Sequence, residues 1–310
     1  MSPLHAKVIV NPTSGARSAQ RKWPRIKALL EDIGLSFDSE LTQEPMQAME
    51  LAREAANRGY DLVVAVGGDG TVNEVVNGLM GPDGKARADL GVIHAGTAND
   101  FARNLDLPRN LERNCQMMVS PRRMEVDVGV VECAKEGQTR QRFFVNVSGA
   151  GFDADLMEEA RKTILPLGPK GPYVGAFLKM APTYEPKDFN LDFLDRQEVH
   201  RAYTVLVSNG KYAGSIPFDS EADLSDGQFE VMTLDLPTFL GALAEPYFAL
   251  PEGYPKIDYV RTNSVRMDSR QRLSVQADGE VLGELPAQFR ILPGALRVVS
   301  RHWPSPAARP

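Results

Sequence analysis

Leu62-Val-Val-Ala-Val-Gly-Gly-Asp-Gly-Thr-Val-Asn-Glu-Val-Val-Asn-Gly78 sets an apolar run against three glycines and a carboxylate, then resumes as a polar-apolar alternation. The run reads as a buried strand, the glycines as a turn, and the alternation as a helix beginning near Thr71. Gly67, Gly68 and Gly70 let the backbone come close to a ligand, and the unpaired N–H groups of the helix start point to the same place, so an anion fits there. Asp69 would repel a bare phosphate. It suits a phosphate bridged by Mg2+, or the orientation of a transferred group, and a nucleoside triphosphate is the expected ligand. No Gly-Lys-Ser/Thr follows the glycines, as a Walker loop requires, and Val72 and Asn73 after Gly70 break the Gly-x-Gly-x-x-Gly dinucleotide pattern. Glycines alone would make only a tight βα turn. Asp69, Thr71, Asn73 and Glu74 crowded around them weigh toward a ligand.

Upstream and downstream of this stretch, residues 7–10, 36–41, 62–66 and 90–93 are strand-like. One helix carrying Trp23, Ile26, Leu29, Leu30 and Ile33 lies between the first two strands. Another begins near Pro45, capped by Thr42 or the turn after it and ended by Gly59. This βαβα order predicts a doubly wound α/β domain over residues 1–125, with helices on both faces of a parallel sheet and ligands gathered at the strand C-termini. After Met124 the pattern changes. Residues 126–132, 142–147, 191–194, 202–208, 229–234, 260–267, 273–276 and 289–292 are strand-like with few long helical patterns between them. An antiparallel β-sandwich over residues 126–300 is expected, followed by a Pro-rich tail, 301–310, that frays.

The chain has 310 residues, of which 43% are hydrophobic and 25% charged, an ordinary balance for a globular protein of two domains. A formal charge of −6 without a dense Lys/Arg run argues against a nucleic-acid partner. Cys115 and Cys133 have no Cys-x-x-Cys or histidine partner at metal spacing, which points to reduced thiols and a cytoplasmic compartment. No uncharged run approaches the length that spans a bilayer, so any membrane contact is expected to be peripheral and transient.

Gly-Gly-Asp-Gly-Thr-Val-Asn-Glu at 67–74 resembles the nucleotide-binding motif of the diacylglycerol kinase catalytic family, which includes bacterial soluble lipid kinases and sphingosine kinases. Asn11-Pro-Thr-Ser-Gly15, Gly96-Thr-Ala-Asn-Asp-Phe-Ala102, Gly151-Phe-Asp-Ala154, Asp226-Gly227 and Asp278-Gly-Glu280 look like that family's motifs in its order. The resemblance implies an ATP- and Mg2+-dependent kinase for diacylglycerol or a related lipid, an α/β nucleotide domain beside a β-rich lipid domain, and activity in the cleft between them. NAD kinases share Gly-Gly-Asp-Gly and form one rival reading. A catalytically silent lipid carrier on the same fold forms another, and a homodimer stays open.

Carried onto this sequence, the resemblance places nucleotide at Asn11, Pro12, Thr13, Ser14, Gly15, Thr42, Gly67, Gly68, Asp69, Gly70, Thr71, Val72, Asn73, Glu74 and Thr97. Read from the residues alone, 11–15 is a βα turn as readily as a ligand loop, and Thr42 and Thr97 are ordinary N-caps. Asp278-Gly279 is a hairpin turn by its residues. The resemblance makes Glu280 the general base that takes the proton of the lipid hydroxyl, opposite Asp69. The acidic segment 218–227, with Asp219 and Glu221, reads as a solvated loop that misses the EF-hand pattern. The resemblance implies a structural Mg2+ there, with Asp226 as side-chain ligand, Asp223 and Gln228 contributing through backbone oxygen, and Asp100 and Asp127 linked through water. Ala213-Gly-Ser-Ile-Pro217 and Ser220-Glu221 depart from the family pattern and leave the acceptor lipid open. Arg161-Lys-Thr-Ile-Leu-Pro-Leu-Gly-Pro-Lys170 and the apolar stretches 239–243 and 247–250 are candidates for a membrane-contacting lip, or else core helices.

Overall fold

The computed structural model describes residues 4–120, 122–163, 171–213, 216–217, 222–235, 238 and 259–301. Asp219, Glu221, residues 164–170 and the apolar stretches 239–243 and 247–250 lie outside them. The chain divides into two compact units, Met1–Val128 with Leu292–Pro310, and Gly129–Ile291.

The first unit begins β1 (His5–Val10), α1 (Ser14–Asp32), β2 (Ser36–Leu41), α2 (Gln47–Asn57), β3 (Leu62–Gly67), α3 (Asp69–Leu79), β4 (Asp89–His94), α4 (Asp100–Asn104) and α5 (Leu111–Gln116). Its strands run parallel in the order β2-β1-β3-β4. All six residues of β3 are buried, as expected of a strand covered on both faces. Right-handed crossovers put α1 on one face and α2 and α3 on the other, and the packing agrees, since α1 meets α5 and α2 meets α3. The core joins Val8, Val10, Leu62, Val64, Val66 and Ile93 to Ile26 and Leu30 of α1. The sheet order reverses between β1 and β3, the position where open α/β sheets bind ligands.

The second unit is drawn from β5 (Arg123–Lys135), β6 (Gln138–Phe144), β7 (Val147–Gly151), α6 (Phe152–Lys162), α7 (Gly171–Met180), β8 (Lys187–Phe193), β9 (Gln197–Ala202), β10 (Thr204–Ser208), β11 (Tyr212–Ala213), β12 (Ile216–Pro217), β13 (Phe229–Leu234), β14 (Tyr259–Thr262), β15 (Ser264–Asp268), β16 (Ser274–Ala277) and β17 (Glu280–Val299). The strands β14-β13-β10-β7-β16-β17 lie side by side and antiparallel, and β17 also pairs with β15, which leads to β8 and β9. Phe144, Phe189, Leu191, Phe193, Phe229 and Phe289 fill the core. In β8 the buried Phe189, Leu191 and Phe193 alternate with exposed Asp188, Asn190 and Asp192, the period-2 pattern of a strand with one wet face.

Several expectations need correction. Among the described residues the β-rich part contains the helices α6 and α7, whose Phe152, Leu156, Phe177 and Met180 pack with Leu206, Met232 and Leu234. The strand expected over 142–147 breaks between β6 and β7, because the N–H groups of Val145, Asn146 and Val147 all turn to the carboxylate of Asp278. The strand expected over 202–208 breaks at Tyr203, whose carbonyl accepts the N–H of Phe152 at the start of α6. A third break, at Asn263, separates β14 from β15. Leu292 onward belongs with the first unit rather than with a domain ending at 300. Val298 pairs with Leu90 of β4, and buried Asp89 holds Arg123 and Arg297 at 2.6 and 2.8 Å. Thr42 does not cap α2. Met46 occupies the cap in a left-handed conformation. Both cysteines are buried, which pushes each thiol up to about 11 and leaves it protonated and inert.

Candidate functional site

The loops after β1, β3 and β4 meet at the reversal of the sheet. Asn11 organises the first of them. Its Nδ2 donates to Thr71 Oγ1 at 3.0 Å, while its Oδ1 accepts the N–H and the hydroxyl of Thr13 at 3.1 and 2.8 Å. The loop then runs left-handed through Gly15, Ala16 and Arg17, with φ of 58°, 52° and 65°, two residues beyond the expected end at Gly15. For Ala16 and Arg17 that conformation costs about 1–2 kcal/mol each. Close backbone approach explains the glycines. A Cβ on Gly15 would lie 2.3 Å from the carbonyl oxygen of Ala95, and one on Gly96 would lie 2.3 Å from the Cα of Gly68.

Asp69 starts α3 and ties the third loop to the fourth. Its Oδ1 accepts the N–H of Phe101 at 3.0 Å. Burial raises its pKa, and the N–H groups of Phe101, Asn99 and Asp100 act against that rise. Asn99, left-handed at φ 54°, clamps Gly96 with its Oδ1 on the N–H and its Nδ2 on the carbonyl, both at 3.0 Å. Thr97 is exposed on this loop, and Thr42 follows β2 with its N–H on the carbonyl of Val10. Other expected nucleotide residues face elsewhere. Val72 and Asn73 are buried in α3, Asn73 accepting from Asn77, and the Glu74 carboxylate accepts the N–H of Ala48 in the first turn of α2. Asp100 is buried, and Asp127 Oδ1 accepts the N–H of Gly294 at 2.7 Å.

The second unit carries the Asp-Gly-Glu turn between β16 and β17. Asp278 and Gly279 are both left-handed, at φ 44° and 90°. The Asp278 carboxylate accepts three consecutive N–H groups, those of Val145, Asn146 and Val147, at 2.8 to 3.0 Å. Glu280, which follows, remains about a third exposed, with Arg142 Nη2 3.1 Å from its Oε2. Arg142 is buried. Sequence reasoning passed over Arg142 and quoted Asn99 only inside the 96–102 motif without giving it a role; the signal for that role lay in its own type, since asparagine tolerates the left-handed region best after glycine.

At the expected Mg2+ site Asp226 Oδ1 accepts the N–H of Gln228, its Oδ2 meets the Arg261 guanidinium, and Asp223 accepts the N–H and hydroxyl of Ser225. No group of three His, Cys, Asp or Glu side chains suits a metal among the described residues. The expected set has one side-chain ligand, Asp226, with Asp223 and Gln228 contributing through backbone oxygen, and a divalent ion there would have to take the place of Arg261 on that carboxylate.

Residues 5–131 match the diacylglycerol kinase catalytic domain, and residues 146–300 match the YegS C-terminal NAD kinase beta sandwich-like domain. A curated diacylglycerol kinase of Staphylococcus epidermidis (strain ATCC 35984) is 30% identical over 290 residues, which cover 92% of this chain and 88% of that one. The diacylglycerol kinase of Bacillus subtilis (strain 168) is 29% identical over 291 residues, covering 92% of each. The crystal structure of a diacylglycerol kinase from Bacillus anthracis str. Sterne superposes with a TM-score of 0.72 at 22% identity over the whole of both chains, which establishes likeness of fold. No helix of the described residues is long and apolar enough to cross a membrane. The glycine-lined loops of the first unit and the Asp-Gly-Glu turn of the second therefore belong to a member of the diacylglycerol kinase catalytic-domain family.

Proposed function

We propose that this kinase transfers the γ-phosphoryl group of ATP, bound as its Mg2+ complex, to the hydroxyl of diacylglycerol or a related lipid, with Glu280 as general base. Phosphoryl transfer needs a cradled triphosphate, charge neutralisation and a base for the attacking hydroxyl. The N–H-rich loops 11–17, 67–71 and 95–99 supply a cradle of the right kind. The observation that carries the reading is the division of labour in 278–280. Asp278 spends its carboxylate on three backbone N–H groups, so Glu280 is the half-open carboxylate of that turn and the one placed to meet a substrate. Arg142 beside it orients the carboxylate until a hydroxyl arrives.

Glu280→Gln tests this against the silent carrier, while a lipid panel tests it against the NAD kinase-like reading. Radiolabelled ATP with dispersed diacylglycerol, phosphatidylglycerol, sphingoid base and NAD identifies the acceptor. Loss of a base removes about 10²- to 10⁴-fold in rate without weakening ground-state binding. ATP affinity measured by titration should therefore stay as in the parent. Normal turnover by Glu280→Gln refutes the assignment. The lipid is reached by peripheral contact from the cytoplasmic side, a reading supported by Tyr173, Val174 and Leu178, which are 50%, 44% and 66% exposed on α7. Leu178→Glu should then weaken cosedimentation with anionic vesicles while ATP binding is kept; unchanged sedimentation removes α7 from the contact.

A further inference from the structure

Asp153 is buried at the start of α6 and has no part in the chemistry above, yet two hydrogen bonds connect it to the peptide that carries Glu280. Its Oδ2 accepts Nε2–H of Gln276 at 2.9 Å, and Oε1 of Gln276 accepts the N–H of Gly279 at 2.9 Å. Resting on the reading of Glu280 as base, we propose that Asp153 and Gln276 are positioning residues that fix the Gly279-Glu280 peptide and so aim the Glu280 carboxylate.

The polarity of this chain admits one arrangement. Gly279 N–H can only donate, so it must face Oε1 of Gln276 and not the amide nitrogen. The amide nitrogen then faces Asp153, where only an acceptor will serve. Asp153 Oδ1 is occupied in turn by the hydroxyl of Thr204. The surroundings are built for the pair. A Cβ on Gly149 would stand 2.5 Å from the carbonyl oxygen of Val205 and 3.2 Å from Asp153 Oδ2, so glycine is required there by the Val205 backbone and also leaves the carboxylate uncrowded. The β16–β17 register shifts between Val275 and Gln276, and the Ser148 hydroxyl donates to the Gln276 carbonyl. Gln276 and Thr204 are buried, at 1% and 0% exposure, so no water competes for these groups. Burial lifts the Asp153 carboxyl to about 6, which leaves it an ionised acceptor at neutral pH.

The test is a reciprocal exchange. In Asp153→Leu the Gln276 amide nitrogen loses its acceptor, whereas Asp153→Asn alone can turn its amide oxygen to Gln276 and its nitrogen to the Thr204 hydroxyl, which then donates to the Ala150 carbonyl. Gln276→Glu alone sets two carboxylates face to face. The double variant Asp153→Asn/Gln276→Glu restores both bonds with the inner one reversed: the amide introduced at position 153 donates to the carboxylate introduced at position 276, and that carboxylate still accepts from Gly279. Turnover, lipid KM, ATP affinity and exchange protection of the Gly279 amide are measured for the parent, Asp153→Leu, Gln276→Glu and the double variant.

Misplacing a catalytic group costs about 10- to 100-fold in kcat. Asp153→Leu and Gln276→Glu should each show such a loss together with faster Gly279 exchange, while ATP affinity holds, and the double variant should recover both kcat and protection. Parental kcat in Asp153→Leu overturns the proposal, as does lost Gly279 protection with kcat intact, or a folded double variant as slow as Gln276→Glu. Glu280→Gln separates the two ideas. If it turns over normally, the base reading falls and takes this inference with it; if it is dead while Asp153→Leu is normal, only the positioning role falls.

Discussion

The turn at Asp69 and the turn at Asp278 solve the same problem with opposite materials. Each carries an aspartate whose carboxylate accepts backbone N–H groups from a distant segment, Phe101 for Asp69 and residues 145–147 for Asp278. At Asp69 the surrounding backbone does most of the shaping, because Gly15, Gly68 and Gly96 let main chain touch main chain. At Asp278 the side chain does the shaping, since its one carboxylate gathers the three N–H donors between β6 and β7, and the neighbouring Glu280 is left partly exposed beside Arg142. Similar sequence signatures, glycine beside aspartate, thus mark a turn of close main-chain contacts in one unit and a turn scaffolded by a single carboxylate in the other.

That contrast predicts opposite phenotypes. Asp278→Ala orphans three N–H groups on Val145, Asn146 and Val147, all of them buried. At about 1–3 kcal/mol for each unsatisfied donor, less some relaxation, the loss should reach about 3–5 kcal/mol of stability. Asp278→Asn keeps two acceptor contacts and a residue tolerant of the left-handed turn, so it should lose about 1–2 kcal/mol. Asp69→Asn should abolish turnover while unfolding close to the parent in urea. If the two aspartates exchange these phenotypes, the division between cradle and scaffold is wrong.

Much of the first unit was legible because its signals are local. A run such as 62–66 ended by glycine can only be a buried strand and turn, and the βα order fixes the sheet. Asp69 and Glu280 were likewise marked by motif. What could not be read were side chains whose partners are far off in sequence. Nothing at 278 announces that its carboxylate binds residues 145–147, and nothing at 74 says that Glu74 reaches Ala48. The α6 helix did carry a signal, with Asp153 and Asp155 in its first turn and Arg161 and Lys162 in its last, the order that complements the helix dipole. It was obscured because the same residues also read as part of a motif. In the acidic segment it was the resemblance and not the composition that implied a metal, and nothing local announced that Arg261, thirty-five positions from Asp226, meets its carboxylate.

The cradle can be probed at its tightest contact. Gly96→Ala drives a methyl to 2.3 Å from the Cα of Gly68, where backbone on both sides must shift. Overpacking of this kind costs about 1–3 kcal/mol, and the displacement falls on the N–H groups proposed for phosphate. ATP affinity should drop with stability, whereas Gly279→Ala, which meets nothing within 4 Å but sits at φ 90°, should cost stability by strain and leave ATP affinity alone. Equal ATP affinities in the two variants would dissolve the distinction between the turns.

The smallest effect is a pH dependence, and its sign is fixed. Burial lifts Asp153 from 3.8 to about 6, and burial raises Asp69 as well. An acid whose folded pKa lies above its unfolded value binds its proton more tightly in the folded chain. Between 3.8 and about 6 the folded protein therefore holds more protons, and the contribution of Asp153 to stability falls as pH rises through that window. Going from pH 7 to pH 5, this one group should return about 1 kcal/mol to the parent. Asp153→Asn lacks it, and the other titrating groups cancel in the difference. Urea unfolding at the two pH values should show the parent gaining on Asp153→Asn under acid, and Asp69→Asn should fall behind in the same direction. Parallel shifts of parent and Asp153→Asn would mean that Asp153 is not held as a buried carboxylate behind the second turn, and that the turn stands on Asp278 alone.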